Sequence, residues 1–398
     1  MNTNIKWSQR RKAQFISAKS NSHYKEIHQK LLNLNLFKHL PSFNTRKYDS
    51  REYFTVLEQA SIYRMSIKQT CLMQRFLGRW YPSPEQVMKC CREISSERMA
   101  NFVNSALKLQ FNALPKKIQQ QLYKSRILII DFHQDCYYGN KTNPHVKKSR
   151  VKKSTNLFYE YLTADLYCKN GCFTIALFHR TPGECIFSLM KKLLEHVQKI
   201  ISIKTILFDG EFATLDILQL LIQKGIKFLG RKSRTDVVKV HIDKYYQNSK
   251  WINNRKWRPI RLHSWKSICK NLNVEICPQN IHGVMKFMVK SPGWDIKPEY
   301  AEKLYRKRFN IETGYRDKHK FQLFTCTKIL STRLLVFLMA TLLWNCWQCF
   351  LIWLRSLKSY TRYLPREFQI QISANWFKNF LGKIFHDSQN FTYSKEGI

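Results

Sequence analysis

The sequence predicts an α/β protein: a mixed sheet with flanking helices, a β-rich insertion within it, and an all-helical domain ahead of it. Three observations carry this. Residues 51–120 repeat apolar positions at helical spacing, short apolar runs alternate with longer amphipathic stretches from residue 126, and residues 232–290 break that alternation. With 398 residues, 44% apolar and 14% aromatic, the chain can bury a substantial core, which excludes general disorder.

Residues 1–50 hold ten Lys or Arg against two acids. The clearest helix start beyond them is Ser83-Pro84-Glu85-Gln86, with Ser at the cap, Pro at the first helical position and Gln where a capping box needs it. Val56 to Trp80 offers one or two further helices, which admits a helix-turn-helix DNA reader. A helical domain over 1–120 is expected.

The period then changes. Arg126 to Asp131 is a short apolar run ending in an acid, and Thr163–Tyr167 and Cys172–Phe178 flank an Asn170-Gly171 hairpin signal. A helix over about 184–200, a strand at Thr205–Asp209, a helix over Leu215–Lys224 and a strand at Ile226–Leu229 complete the sheet pattern. Within 232–290, Val237–Ile242 and Val284–Val289 bracket Trp251 to Lys270, where Trp251, Trp257 and Trp265 stand among Arg255, Lys256, Arg258, Arg261, Lys266 and Lys270 with no acid. Trp257 and Arg258 are candidate DNA contacts there, through base stacking and phosphate neutralisation. The competing reading is a small β core with a solvated basic rim. The run Lys147 to Lys153 reads as a solvated basic loop. Pro298, with Glu299 and Glu302 in the first turn, opens a long helix.

Charge sets the partner. The 68 Lys and Arg against 27 Asp and Glu leave +41, so a polyanion, DNA above all, is the expected companion. The 12 cysteines are scattered and no secretory leader is evident at Met1-Asn2-Thr3-Asn4, which points to a reducing cytoplasm. Cys168/Cys172 and Cys346/Cys349 lack a second pair or nearby His, so structural zinc is not expected. Leu334 to Leu354 is long and apolar enough to span a bilayer. Thr341, Asn345 and Gln348 inside it, and arginines at both ends, favour a buried core helix packed on the sheet.

Asp131 and Asp209 each follow consecutive apolar residues, at strand ends where open sheets present functional groups. Such an acid is either ion-paired or kept to hold a metal ion. Asp135 and Glu211 are rival ligands, expected in the turns that follow. Tyr305, Arg308 and Glu312 fall at i, i+3 and i+7, one stripe of the expected helix, and His319 joins it if the helix continues.

Tyr305-Arg306-Lys307-Arg308-Phe309-Asn310-Ile311-Glu312 resembles the Tyr-x2-Arg-x3-Glu-x6-Lys pattern of DDE transposases of prokaryotic insertion sequences. His319, flanked by Lys318 and Lys320, stands where that pattern has its Lys. Asp131 and Asp209 resemble the first two acids, and the long gap to Glu312 resembles members with a β insertion in a ribonuclease-H-like core. The resemblance implies catalytic and metal-binding roles for Asp131, Asp209 and Glu312, holding two Mg2+ ions, with Mn2+ as a substitute. It implies DNA contacts from Tyr305, Arg308, Lys318, His319 and Lys320. It further implies strand cleavage and strand transfer at the terminal inverted repeats of a mobile element by a homodimer, in the cytoplasm at the nucleoid and with no membrane. The expected division is a DNA-binding domain at 1–120, a catalytic domain at 121–355 and a tail at 356–398 that serves dimerisation. Two alternatives remain at this point: a catalytically inactive DNA-binding descendant of such an enzyme, and a single-span membrane protein.

Overall fold

A computed structural model describes residues 48, 50–79, 81–169, 171–232, 238, 256–264, 267–281, 284–356, 374–375, 377–379 and 381–382. They form two compact units, one from residues 1–120 with 314–398 and one from residues 121–313.

The first unit is helical. Helices α1 (Ser50–Tyr63) and α2 (Ile67–Phe76) are joined by a three-residue turn in which Arg64 takes a positive φ of 53°. Ser66 caps α2 with a reciprocal Ser–Gln69 box. Helix α3 (Pro84–Glu93) starts on the Ser83/Gln86 capping box expected from the sequence. Helix α4 (Ser96–Asn112) follows, and α5 (Lys116–Ser125) leads into the second unit.

The long apolar helix, Leu330–Ser356, also belongs to the first unit. It packs against α1, α3 and α4. Its burial was expected, but its partners are these helices and not the sheet. The segment Leu330–Ile352 has the length and hydropathy of a membrane span and is wholly buried inside the protein. Two of its polar residues find partners within the unit. Thr341 Oγ1 donates to the Phe337 carbonyl at 2.8 Å, and Asn345 donates to Gln110 Oε1 at 2.8 Å while Gln110 donates to the Leu342 carbonyl.

The second unit is built on one sheet. Strands β1 (Ile127–Cys136), β2 (Lys147–Lys152), β3 (Thr155–Cys168), β4 (Gly171–Arg180), β5 (Thr205–Phe208), β6 (Lys227–Lys232), β7 (Arg258–His263), β8 (Asn271–Ile281) and β9 (Val284–Lys290) run in the order β2-β3-β1-β5-β6-β9-β8-β7, with β4 also on β3. The β1–β5 and β5–β6 pairs are parallel and the others antiparallel. Helix α6 (Ile186–Gln198) covers β4 with Leu189, Met190, Leu193, Leu194 and Val197 inward, and α7 (Leu215–Gln223) covers β6.

Three expectations change here. The basic run at Lys147 is a strand, β2, turning at Lys153 and Ser154 into β3; its positive φ residues make that tight turn. β1 continues to Cys136 because its second half pairs with β3 through Asp135↔Tyr159 and Cys136↔Phe158. Asp131 therefore lies mid-strand, and Asp135 lies in the strand and not in a turn. The described part of the insertion carries β7, β8 and β9, although Val238 is helical and not in the strand expected there, and it extends the main sheet through the β6–β9 pairing. Residues 237, 239–242, 251, 255, 265 and 266 of that insertion lie outside the described residues, as do most of 1–49 and of the tail from 357.

All twelve cysteines are free thiols, and among the described residues no group of three or more His, Cys, Asp or Glu is placed to hold a metal ion.

Candidate active site

The second unit carries Asp131, Asp209, Tyr305, Arg308 and Glu312 together. Parallel pairing of β1 with β5 ends at Ile129↔Leu207, so Asp131 sits two residues beyond the last rung. Asp209 follows Phe208 directly. Its Oδ1 accepts the Gly210 N–H at 2.7 Å and caps a 3-10 turn at Gly210–Phe212. Gly230, the partner of Phe208 on β6, has to be glycine: a Cβ there would stand 2.1 Å from the Phe208 ring.

The third acid arrives from a broken helix. Helix α8 (Pro298–Tyr305) tightens into a 3-10 turn at Arg306–Arg308 before α9 (Phe309–Lys318) resumes. The expected continuous stripe is thereby altered. The tightening coincides with Arg308 reaching across to β1. Its guanidinium donates to Asp131 Oδ2 at 3.1 Å and to Glu312 Oε1 at 2.7 Å, so one arginine bridges the first and third acids. Its side chain is 3% exposed, against 17% for Asp131 and 48% for Glu312.

Burial dominates the electrostatics of Asp131 and pushes its carboxyl up to about 7. The Arg308 charge and the Phe132 N–H at 2.9 Å pull the other way, while the negative charges of Asp209 and Glu312 raise it further. Asp209 is thus within electrostatic reach of Asp131. Burial draws Arg308 down, but Tyr305, Asp209, Asp131 and Glu312 outweigh it and hold the guanidinium firmly charged. Tyr305 is buried, which moves its phenol up to about 12 despite the Arg308 charge.

The three carboxylates are of the donor type that Mg2+ or Mn2+ takes, but as placed they do not form a group that could hold a metal ion, because the Arg308 guanidinium stands between Asp131 and Glu312.

The remaining expected residues fall elsewhere. Lys318 is fully buried, with its ammonium 4.4 Å from the centre of the Trp344 ring, where Gly314 leaves room for the indole. His319 lies one residue past the end of α9 and so leaves the stripe; its ring meets the Gln322 side chain. Lys320 pairs with Asp317 at 2.6 Å. Trp257 is partly buried: its indole N–H donates to the Ile296 carbonyl at 2.7 Å and its ring receives the Lys290 ammonium. Arg258 is exposed on β7. Of the rival acids, Asp135 is buried in β1. Glu211 is taken up in a network in which Arg180 and Lys147 bind both it and the buried Glu160.

Two residues of this region were not among those expected from sequence. Lys232 Nζ donates to the Ala213 carbonyl at 2.7 Å, tying β6 to the turn that begins at Asp209. Arg231 lies at the end of the same strand with its guanidinium 5.4 Å from the Tyr305 ring centre. The available signal was the Gly230-Arg231-Lys232 triplet ending the third parallel strand.

Residues 187–345 match the transposase DDE domain, a span that includes Asp209, Tyr305, Arg308 and Glu312 and leaves out Asp131. No curated protein matches the chain in sequence. Among solved structures, the chain is similar in fold to the cryo-EM structure of the piggyBac transposase synaptic complex with hairpin DNA, at 12% identity and a TM-score of 0.55 over 96% of this chain and 82% of that one. The crystal structure of the Mos1 strand transfer complex aligns with 46% of this chain and 58% of its own at 13% identity, with a TM-score of only 0.17.

Proposed function

We infer from the transposase DDE domain at residues 187–345 that the chain is a DNA transposase, and we propose that Asp131, Asp209 and Glu312 are its catalytic acids. The observation that carries this reading is the Arg308 bridge. Residues 177 positions apart in sequence, Asp131 and Arg308, meet at 3.1 Å, and Glu312 joins them at 2.7 Å. The strand order β4-β3-β1-β5-β6, with the last three parallel, supports a ribonuclease-H-like core.

In this reading the three acids would hold Mg2+, which when bound supplies Lewis-acid activation of water and of the scissile phosphodiester. Water attack at phosphorus breaks the P–O3′ bond and leaves a 3′-hydroxyl, which in strand transfer attacks a target phosphorus, forms a new P–O3′ bond and releases the target strand's own 3′-hydroxyl. No covalent enzyme intermediate forms. The 3-10 turn begun by the Asp209 cap, tied down by Lys232, fixes the second acid. Burial of Arg308 and partial burial of Asp131 limit the water between them, which strengthens their electrostatic contact. Tyr305 packs against both arginines, its ring centre 5.4 Å from the Arg231 guanidinium carbon and 5.7 Å from that of Arg308.

The substrates proposed are the terminal inverted repeats of the chain's own element, bridged by a homodimer at the nucleoid, because both ends must be cut and joined together. The helical unit is the proposed DNA reader. Its α2 buries Ile67, Thr70, Cys71 and Gln74 and leaves Lys68, Gln69 and Arg75 exposed, which supports that role. The test is cleavage of a duplex copied from the DNA bordering the coding sequence. Wild type should cut it only with Mg2+ or Mn2+, and Asp209→Asn should bind it equally well without cutting. Equal cutting by the variant would remove Asp209 from the site. A wild type that binds and never cuts would leave only a DNA-binding protein.

A further inference from the structure

We infer that Arg231 is a phosphate-binding cation of this site, holding the DNA strand beside the bond that is cut. The inference deepens the transposase reading and rests on it. Phe208 pairs with Gly230 across the parallel β5–β6 ladder, so Asp209 and Arg231 leave neighbouring strands one residue beyond the same rung. Tyr305 links the two arginines: its ring centre lies 5.4 Å from the Arg231 guanidinium carbon and 5.7 Å from that of Arg308.

The arginines differ in what they bind. Arg308 is buried and has both terminal nitrogens on carboxylates, so its fork has no free edge to offer a phosphate while the bridge stands. Arg231 is only partly buried, and its side chain makes no hydrogen bond or ion pair among the described residues; its Nε, like that of Arg308, is enclosed without an acceptor. A partly buried guanidinium with no carboxylate on it among the described residues has its fork open, and a phosphodiester supplies the two oxygens that this planar fork matches. Packing against Tyr305 gives the group a position. An arginine so placed, one residue past the rung that precedes Asp209, fits a strand whose phosphate arrives with the substrate.

The test uses the full chain and a duplex copied from the DNA bordering the coding sequence, with single methylphosphonate linkages placed in turn along the strand near its end. Arg231→Met should weaken binding about tenfold, as expected for loss of one charge-assisted contact. It should also reduce the salt slope of binding by about one. Arg231→Lys should recover part of the affinity. At one position, the neutral linkage should weaken wild type and leave the Met variant unchanged. Equal sensitivity of the two proteins at every position, or an unchanged salt slope, would overturn the inference, since a mere packing partner of Tyr305 does not distinguish phosphates. Cleavage by wild type is read separately. A wild type that binds but does not cut refutes the transposase reading, and the phosphate scan of binding still decides Arg231.

Discussion

Replacing Arg308 by Met removes the cation that bridges Asp131 and Glu312. Arg308 is 3% exposed and its Asp131 partner 17% exposed, so this half of the bridge behaves as a buried pair. Removing one member of such a pair costs about 3–5 kcal/mol, and the partial hydration of Asp131 sets the lower end, about 3. The Glu312 half adds less than about 1 kcal/mol, because that carboxylate is 48% exposed and water screens it. Arg308→Met should therefore destabilise the second unit by about 3–4 kcal/mol. Most of this is the cost of burying the Asp131 carboxyl without Arg308, as a charge or with a proton taken up, since that carboxyl is already pushed up to about 7 with the guanidinium in place. Adding Asp131→Asn to Arg308→Met should then recover about 2 kcal/mol, a coupling of the size seen between contacting residues. Urea unfolding in chelator at about pH 8, where Asp131 is ionised, measures all four proteins of the cycle. A loss under about 1 kcal/mol for Arg308→Met, or a double variant that loses the sum of the two single effects, would refute the electrostatic reading of the bridge.

Gly230→Ala should drive a methyl group into the Phe208 ring next to Asp209, destabilising by about 1–3 kcal/mol and slowing cleavage, with Phe208→Leu in the same chain restoring part of both. Unfolding curves and cleavage rates of the two variants test this, and full activity in Gly230→Ala would contradict it. His179 is held down to about 4 by burial, with the His145 carbonyl and nearby acids opposing. Below its ordinary value of 6.5 the unfolded chain takes up a proton that the folded chain refuses until about 4. Stability supplied by His179 is thus complete above about 6.5 and is lost as pH falls through that window, by up to about 3 kcal/mol. Comparing the pH dependence of urea midpoints for wild type and His179→Phe isolates this contribution; parallel curves would contradict it.

The sequence and the structure agree where local chemistry decides. The Ser83 cap, the helix expected over about 184–200 and the turn after Asp209 need only neighbours along the chain, and all three appear. An apolar helix with no polar stripe has to be buried, and Leu330–Ser356 is, but nothing in its pattern names the helices that bury it. β1 was harder to read because its second half, Phe132–Cys136, mixes aromatic and charged residues that become a strand only by pairing with β3. The same holds for Lys147–Lys152, whose charges suit solvent and whose backbone suits an outer strand. At the site, spacing identified Tyr305, Arg308 and Glu312 as one group. It could not reveal that Arg308 turns to Asp131 through a tightened turn, or that Arg231 ends beside Tyr305. Both depend on contacts between residues more than 70 positions apart.

Convergence of the three acids on a bound cation can be mapped without DNA. Fe2+ takes the same oxygen donors as Mg2+, and with ascorbate and peroxide it cuts the backbone within reach of its site. Fragments ending near residues 131, 209 and 312, all suppressed by excess Mg2+, are the expected result. A cutting pattern that misses any one of the three segments, or that Mg2+ leaves unchanged, would contradict a shared metal site.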